Sequence, residues 1–278
     1  MRSDEIRAAV WPNRGRWSEA FCEKAHESDR ALVFAILDSM KKRFRGNLKS
    51  IEPNKILGEN VSDFDRFFLV LGLIFNDMKD FVFLGHVLDK DYDKADNDEI
   101  TSHRGEYAGI RAHIFRMQIS IASEFILFLR KNKKVLESED FTSFENQLSK
   151  KAKIIWFDLK ETAFNKDVKG EKSFINKIAE VRSNVSFHYW NSMKGLEEGY
   201  IEKFFNKEDD GANNKAYYSS GSTIEFTRPY YCDAAAEEFI RKRIDHEDND
   251  HLEKVSDLIN SMMKILMVFL NMYFTDKE

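Results

Sequence analysis

The chain has 278 residues, and its 42% hydrophobic content with 24 phenylalanines is ample for a well-filled core. Its 12 glycines and 3 prolines are few for this length, which disfavours a turn-rich sheet architecture and favours helix. A net charge of −5 argues against a broadly basic surface that coats nucleic acid regardless of sequence.

The two cysteines, Cys22 and Cys232, lie far apart in the sequence and form neither a disulfide framework nor a zinc site by themselves. This usage fits a reducing compartment. The first residues lack the continuous apolar segment of a signal peptide, and the longest apolar stretch, residues 261–274, is shorter than a bilayer span. We therefore expect a soluble, cytoplasmic protein that makes no membrane contact.

The predicted elements begin with a helix over residues 18–44, in which apolar residues recur at helical spacing. Residues 46–60 contain a proline and two glycines and predict a connector. The next helix begins at Ser62 or Asp63 and runs to about Leu88. It is apolar on nearly every face, which is typical of the central helix of a bundle.

The second half of the chain returns to helix after an acidic linker over residues 89–98. Helices are predicted over residues 102–132 and 141–159, from about Ser173 onward, and over Ala234–Ile244 and His251–Phe274. Residues 205–232 differ, because a glycine-containing loop is followed by a stretch rich in Tyr, Thr and Ser that favours a short β-hairpin.

These elements predict an all-α protein. Residues 1–60 are interpreted as an N-terminal helical extension, and residues 61–278 as a helical bundle domain with a β-hairpin insertion near residues 215–232.

The sequence VRSNVSFHYW, residues 181–190, places Arg182 and His188 six positions apart around the polar pair Ser183 and Asn184. Such spacing also arises by chance in a chain of this length. A second match, Arg241 and His246, lies in a charged helix end and is interpreted as solvated surface.

On a helical wheel, the apolar residues of this segment form one stripe that predicts its buried face: Ile175, Ile178, Val181, Val185 and Tyr189. Arg182 and His188 fall on the two shoulders of that stripe, whereas Asn184 and Phe187 point away from it. Groups so far apart around one helix do not converge on one point within one chain. A two-fold dimer with Phe187 at its interface would supply the missing half.

The residue types suit RNA cleavage without a metal ion or cofactor. Arginine binds phosphate oxygens with two parallel hydrogen bonds, and histidine gives or takes a proton near neutral pH. Arg182 would stabilise the charge that develops as a 2′-hydroxyl attacks the phosphorus, and His188 would act as general acid or base. The structural alternative is that Arg182 pairs with a nearby carboxylate and His188 is an ordinary helix residue.

The segment AEVRSNVSFHYW, residues 179–190, lies behind a long apolar helix and a long amphipathic one, and it resembles the signature of the HEPN superfamily. That signature is an Arg, four to six residues and a His, usually with a polar residue directly after the Arg. Most members have Asn, Asp or His there, whereas this chain has Ser183 and then Asn184.

The resemblance implies a helical bundle that dimerises along the motif helices and, in active members, a metal-independent endoribonuclease. Carried over, Arg182 and His188 are the catalytic pair, and Ser183 or Asn184 is the assisting polar group. Some members are toxins in defence or toxin–antitoxin systems, which implies an antitoxin or a defence-system protein as a further partner. Others are non-catalytic, and the alternative here is a helical module that binds a partner protein or a nucleotide.

Two further clusters carry candidate RNA contacts. Residues 103–113, HRGEYAGIRAH, could line an RNA groove, although an exposed helix start is the favoured interpretation. Four tyrosines of the hairpin region could stack on bases, although packing on the bundle is favoured. They are Tyr217, Tyr218, Tyr230 and Tyr231.

Overall fold

The computed structural model describes residues 50–57, 61–91, 101–164, 174–186, 192–205, 215–220, 227–244 and 250–277. Residues Ile51–Glu278 form one compact unit. Most of the N-terminal extension proposed for residues 1–60, including the helix expected over residues 18–44, lies outside the described ranges. So does most of the acidic linker.

The described part of the chain is almost entirely helical. Its helices are α1 (Pro53–Ile56), α2 (Asp63–Asp91), α3 (Ser102–Lys131), α4 (Lys133–Leu136), α5 (Glu139–Asn146), α6 (Lys150–Phe164), α7 (Phe174–Val181), α8 (Ser192–Phe204), α9 (Tyr230–Ile244) and α10 (Asp250–Lys277). A π-helical turn, Arg182–Ser186, directly follows α7. Across these ranges there is no β-strand, which confirms the all-α expectation.

The single helix predicted over residues 141–159 is wrong, because the chain breaks there into α5 and α6. Two serines start the helices on either side of the break. Ser138 Oγ accepts a hydrogen bond from the Phe141 amide at 3.3 Å, and Ser149 Oγ accepts one from the Ala152 amide at the same distance. Each serine satisfies a backbone donor that the first turn of a helix leaves unpaired.

One antiparallel bridge stands where the β-hairpin was predicted. The amides and carbonyls of Ser219 and Arg228 exchange hydrogen bonds of 2.9 and 3.1 Å. Residues 221–226 lie outside the described ranges, so the hairpin stays a prediction. Its boundary near residue 232 is wrong, since α9 already begins at Tyr230.

The centre of the bundle is α3 and not α2. Five residues in the second half of α3 are almost completely buried: Ile119, Ala122, Phe125, Ile126 and Leu129. On α2, by contrast, Leu69 and Leu73 are 53% and 61% exposed. The apolar residues on nearly every face of α2 therefore did not identify the most buried helix.

Aromatic rings join the long helices. The ring of Phe68 on α2 stacks on that of Tyr273 on α10, with centroids 4.5 Å apart. Trp156 on α6 meets Phe269 on α10 edge to face at 5.0 Å. Such pairs add about 0.5–1.5 kcal/mol each beyond the burial of their area.

Hydrogen bonds to Asp65 join the first turn of α2 to the last turns of α10. Its carboxylate accepts hydrogen bonds from Ser62 Oγ at 2.7 Å, Tyr273 Oη at 2.8 Å and Lys277 Nζ at 2.7 Å. Burial disfavours the charged carboxylate, but the hydrogen bonds from Lys277, Ser62 and Tyr273 outweigh it and lower the pKa of Asp65.

Two helical segments, Arg104–Lys131 and Lys254–Lys277, are long and apolar enough to cross a membrane by length and composition. In their most apolar windows, 56% and 44% of the residues are buried in the bundle. The stretch over residues 261–274 is short, but the helix that contains it is not. Core helices of soluble proteins share these properties, so the cytoplasmic location stays a prediction.

We predict that Asp65→Asn lowers the free energy of unfolding by roughly 2 kcal/mol at pH 7, because it removes a charge that accepts three hydrogen bonds. The folded-state pKa of Asp65 is lowered, so its contribution is present above the unfolded-state pKa of about 4 and is lost as pH falls through the folded-state value. Urea unfolding of wild type and variant should therefore converge on acidification.

The matched control is Asp63→Asn, which removes an exposed carboxylate whose ion-pair partner among the described residues is Arg66 on the same helix. It should change the free energy of unfolding by less than about 1 kcal/mol. Equal effects of the two variants at pH 7 would contradict the role assigned to Asp65.

Candidate functional site

The first part of the sequence motif forms the end of α7 and the π turn after it. The predicted apolar stripe is buried at Ile175, Ile178, Val181 and Val185, which confirms four of its five positions. Tyr189, the fifth, lies outside the described ranges.

Polar side chains accompany the change from α-helix to π turn. Ser183 Oγ donates to the carbonyl of Ala179, and Asn184 Nδ2 donates to the carbonyl of Glu180, both at 2.8 Å. Both acceptors lie four residues back, where a regular α-helix uses the backbone amide as donor. These side-chain hydrogen bonds satisfy the two carbonyls at the point where the backbone hydrogen bonds change from α-helical to the wider π-helical spacing.

A π turn contains more residues than an α turn, so residues after Val181 depart from a regular helical wheel, although Val185 is still buried as predicted. Asn184 was expected to point away from the core. Instead it lies against α8, since a Cβ atom added to Gly195 would be 3.0 Å from Asn184 Cβ. Asn184 is therefore half-buried against α8 and not fully exposed to solvent.

Arg182 forms an ion pair with Glu124 of α3, joining Nη2 to Oε1. Their side chains are 23% and 45% exposed. Within the described residues, Arg182 Nε is buried without a hydrogen-bond partner. Arg182 thus pairs with a carboxylate, as the structural alternative expects, and remains partly open to solvent.

Ser186, the last residue of the π turn, is buried against α3. Its Oγ lies 3.4 Å from the carbonyl of Arg116, which also accepts a hydrogen bond from Ser120 Oγ at 2.8 Å. The π turn therefore runs along α3, with Arg182 beside Glu124 and Ser186 beside Arg116.

His188 and Phe187 lie outside the described ranges, so the structure does not place the second catalytic residue or the expected interface residue. Of the second Arg–His match, Arg241 and His246, the structure describes only Arg241. Arg241 Nη2 donates to both carboxylate oxygens of Glu238, at 2.6 and 2.7 Å, and its side chain is 49% exposed. His246 lies outside the described ranges.

Sequence reasoning missed a polar network between α3 and the start of α9. The Arg228 guanidinium pairs with Glu106 at 2.9 Å and with Asp233 at 3.0 Å. Asp233 also lies 3.4 Å from Arg116 Nη2. A Cβ atom at Gly109 would overlap the Arg228 guanidinium, so this glycine lets Arg228 lie flat on α3.

A sequence signal for this network existed in the glycine spacing. Gly105 and Gly109 are four residues apart, and this spacing leaves a smooth strip on one face of a helix. Tyr230 occupies the strip beside Gly105, and its hydroxyl donates to Glu106 at 3.2 Å. The packing interpretation is confirmed for Tyr230, whereas Tyr218 is exposed.

The cluster over residues 103–113 is more ordered than an exposed helix start. Tyr107 Oη donates to Asp89 at 2.7 Å and accepts from Arg111 Nη1 at 2.7 Å, and Arg111 also pairs with Asp89 at 3.1 Å. Further along the helix, burial and the nearby Arg116 guanidinium lower the pKa of His113. Both effects favour the neutral form of the His113 imidazole.

A cavity of about 490 Å³ lies between α3 and α9. The described residues that line it are Tyr107, Ala108, Arg111, Ala112, Phe115, Glu237, Ile240 and Arg241. Small and apolar side chains thus alternate with two guanidinium groups and one carboxylate. Its volume is within the range of about 300–1,000 Å³ that is usual for small-molecule sites.

Within the described ranges, no cluster of three or more His, Cys, Asp or Glu residues has the arrangement of a metal site. Comparisons with models of known protein families, with curated proteins and with solved structures gave no match to this chain.

We predict that Arg182 and Glu124 are energetically coupled. A double-mutant cycle of Arg182→Ala and Glu124→Ala should give a coupling free energy of about 1 kcal/mol in urea unfolding, since a partly exposed ion pair is screened by solvent. The reference cycle, Lys133→Ala with Glu137→Ala, removes a pair that is more than 60% exposed at both side chains. It should give a value near zero, and equal couplings would contradict the anchoring of Arg182.

Proposed function

We propose that this protein is a metal-independent endoribonuclease of HEPN type that cleaves single-stranded RNA by attack of the 2′-hydroxyl, acting as a homodimer with a composite Arg182 and His188 site. The observation that carries the proposal is the position of Arg182, on a π turn at the edge of an all-α bundle, held by Glu124 and still partly open to solvent. Single π turns inside helices are frequent at functional sites.

Arg182 would bind the scissile phosphate. Its guanidinium has five N–H donors, and the ion pair with Glu124 involves one nitrogen, Nη2. Glu124 therefore fixes the direction of the side chain. Nε is buried, so Nη1 and the second N–H of Nη2 are the donors left for phosphate oxygens. Held in this way, Arg182 would stabilise the extra negative charge on the pentacoordinate phosphorus without reorganising.

His188 would move the proton. As a neutral imidazole it accepts the proton of the 2′-hydroxyl while the 2′-oxygen bonds to phosphorus. The bond from phosphorus to the 5′-oxygen then breaks, and His188 of the partner subunit, in its protonated form, donates a proton to that oxygen. The products are a 2′,3′-cyclic phosphate and a 5′-hydroxyl, and neither a metal ion nor a cofactor takes part.

Ser183 and Asn184 would assist from the same turn. Their donors to Ala179 and Glu180 are committed to helix carbonyls, but Ser183 Oγ keeps its acceptor lone pairs and Asn184 its second N–H and its carbonyl. Asn184 lies against α8, so Ser183 is the better placed of the two to approach the substrate.

A non-catalytic helical module that binds a partner protein or a nucleotide is the second candidate. The specific observation that favours it is again the ion pair between Arg182 and Glu124, because an arginine that only joins two helices needs the same contact. The two candidate functions therefore share one fold and differ in whether the protein cleaves RNA. For the ribonuclease, a cognate antitoxin or a defence-system protein would be a further partner.

We predict that the purified protein cleaves mixed single-stranded RNA in the presence of a chelator, and that Arg182→Ala and His188→Ala each abolish cleavage. Arg182→Lys should also lose most activity, since an ammonium group does not form the paired hydrogen bonds. Products separated on denaturing gels and treated with acid would reveal the cyclic phosphate.

The matched controls are Arg66→Ala and His86→Ala, which remove exposed groups on α2. They should leave cleavage unchanged. Absence of cleavage by the wild type in any buffer, or unchanged cleavage in both motif variants, would exclude the proposed ribonuclease and leave the binding module.

We predict a dimer at micromolar concentration that Phe187→Asp weakens, with cleavage falling in parallel, because the composite site needs both copies. Light scattering measures the mass. The control Phe157→Asp places the same charge at an aromatic residue of α6 that is 59% exposed, and it should leave the dimer intact. A strict monomer that still cleaves RNA would rule out the composite site.

A further inference from the structure

The lining of the cavity between α3 and α9 includes small and apolar side chains that suit an aromatic ring. Ala108 and Ala112 open space on α3, while Phe115 and Ile240 provide apolar surface beside it. Ile240 is almost fully buried, so this part of the lining belongs to the core and is preformed. Tyr107 adds an aromatic ring, and a nucleic-acid base stacks on such a ring with about 1–3 kcal/mol.

Two arginines line the cavity and suit an anion. Arg111 on α3 pairs with Asp89, at side-chain exposures of 60% and 44%, and Arg241 on α9 pairs with Glu238. The pair of Arg111 is exposed at both side chains and contributes only about 0–1 kcal/mol, so Arg111 can turn toward a phosphate at small cost. Glu238 is buried, so Arg241 keeps its Nη2 contact with that carboxylate and offers its other N–H donors to the phosphate.

The cavity adjoins the end of the π turn. Phe115 lines the cavity, and the carbonyl of the next residue, Arg116, lies 3.4 Å from Ser186 Oγ. Glu124, the partner of Arg182, is on the same helix about 14 Å further along, at 1.5 Å per residue. Arg182 and the cavity thus both lie against α3, at two places along its length.

We propose that this cavity binds one nucleotide unit, with its base on the apolar surface against Tyr107 and its phosphate between Arg111 and Arg241. Glu237 is the one carboxylate among the described lining residues, and it would accept a hydrogen bond from an amino group on the base. An RNA strand supplies such a unit, and so does a free nucleotide. The assignment to RNA rests on the proposed ribonuclease function, whereas the nucleotide site itself does not.

The first test is calorimetric titration of the full-length Arg182→Ala variant with adenosine 5′-monophosphate, with adenosine as the uncharged reference. We expect saturable binding of the monophosphate and at least tenfold weaker binding of adenosine. Arg111→Gln and Arg241→Gln should each weaken the monophosphate about tenfold, which is the loss of one charge-assisted contact. Ala112→Phe, which fills the cavity, should abolish binding.

Two variants separate a contact with the ligand from a structural effect. Asp89→Asn releases Arg111 and should leave monophosphate binding equal or tighter, although it breaks the same ion pair as Arg111→Gln. Glu237→Gln should tighten the binding of the monophosphate, because it removes the one negative charge among the described lining residues and keeps a carbonyl that can accept from the base. Arg104→Gln, at an exposed arginine of α3 outside the cavity, should have no effect.

No saturable binding of the monophosphate by the Arg182→Ala protein, or binding that is equal when Arg111→Gln or Ala112→Phe is added to it, would overturn the nucleotide site. The second test adds single-stranded oligoadenylate to the complex with the monophosphate. Displacement by the RNA supports the assignment to RNA, and failure to displace it overturns that assignment in favour of a free nucleotide.

Failure of the site and failure of the ribonuclease give different results. A protein that cleaves RNA with an unchanged KM in Arg111→Gln and Ala112→Phe has the activity without this site. A protein that binds the monophosphate through Arg111 and leaves RNA intact has the site without the activity.

Discussion

Burial of the second half of α3 is the constraint on which the rest of the described bundle depends. Helices α2, α6, α7, α9 and α10 all pack on α3, together with the π turn. A helix surrounded in this way has to bury most of its sides, and the turns from Ile119 to Leu129 are apolar except for the buried Ser120 and Ser123 and the partly exposed Glu124. The first half of the same helix contains the polar network and the cavity. Helix α3 therefore sets the distances between the core, Arg182 and the cavity between α3 and α9.

The polar contacts around the first half of α3 act differently from the core. Arg228, Asp233 and Arg116 form partly buried ion pairs, whose attraction is offset in large part by the loss of hydration. Their net contribution to stability is small compared with that of the aromatic cluster. Removing one partner, however, leaves a charge without its counter-ion. Such a network fixes where the segment containing Ser219 and Arg228 docks, while the apolar core provides most of the free energy of folding.

Most of the described helices could be predicted from the sequence, because amphipathic periodicity reports directly on burial. The bounds of α2, α3 and α10 follow from it within a few residues. The break before α6 was missed because Ser149, which caps α6, lies within an apolar pattern that continues across it. Only part of the candidate site could be predicted from the sequence. Glu124 lies 58 positions before Arg182 in the sequence (182 − 124), and periodicity carries no information about which distant residues meet.

The π turn has a consequence for the evolution of this segment. A turn of this kind corresponds to one residue more than the α-helical ladder accommodates, so loss of a single residue between Arg182 and Ser186 would return that stretch to regular spacing. The residues after the deletion would then turn by about 100° about the helix axis. Val185 and Ser186 are both buried in the bundle, so such a rotation would move a core residue and the α3 contact of Ser186 together. A substitution in the turn changes one contact at a time, whereas a change in its length changes several at once.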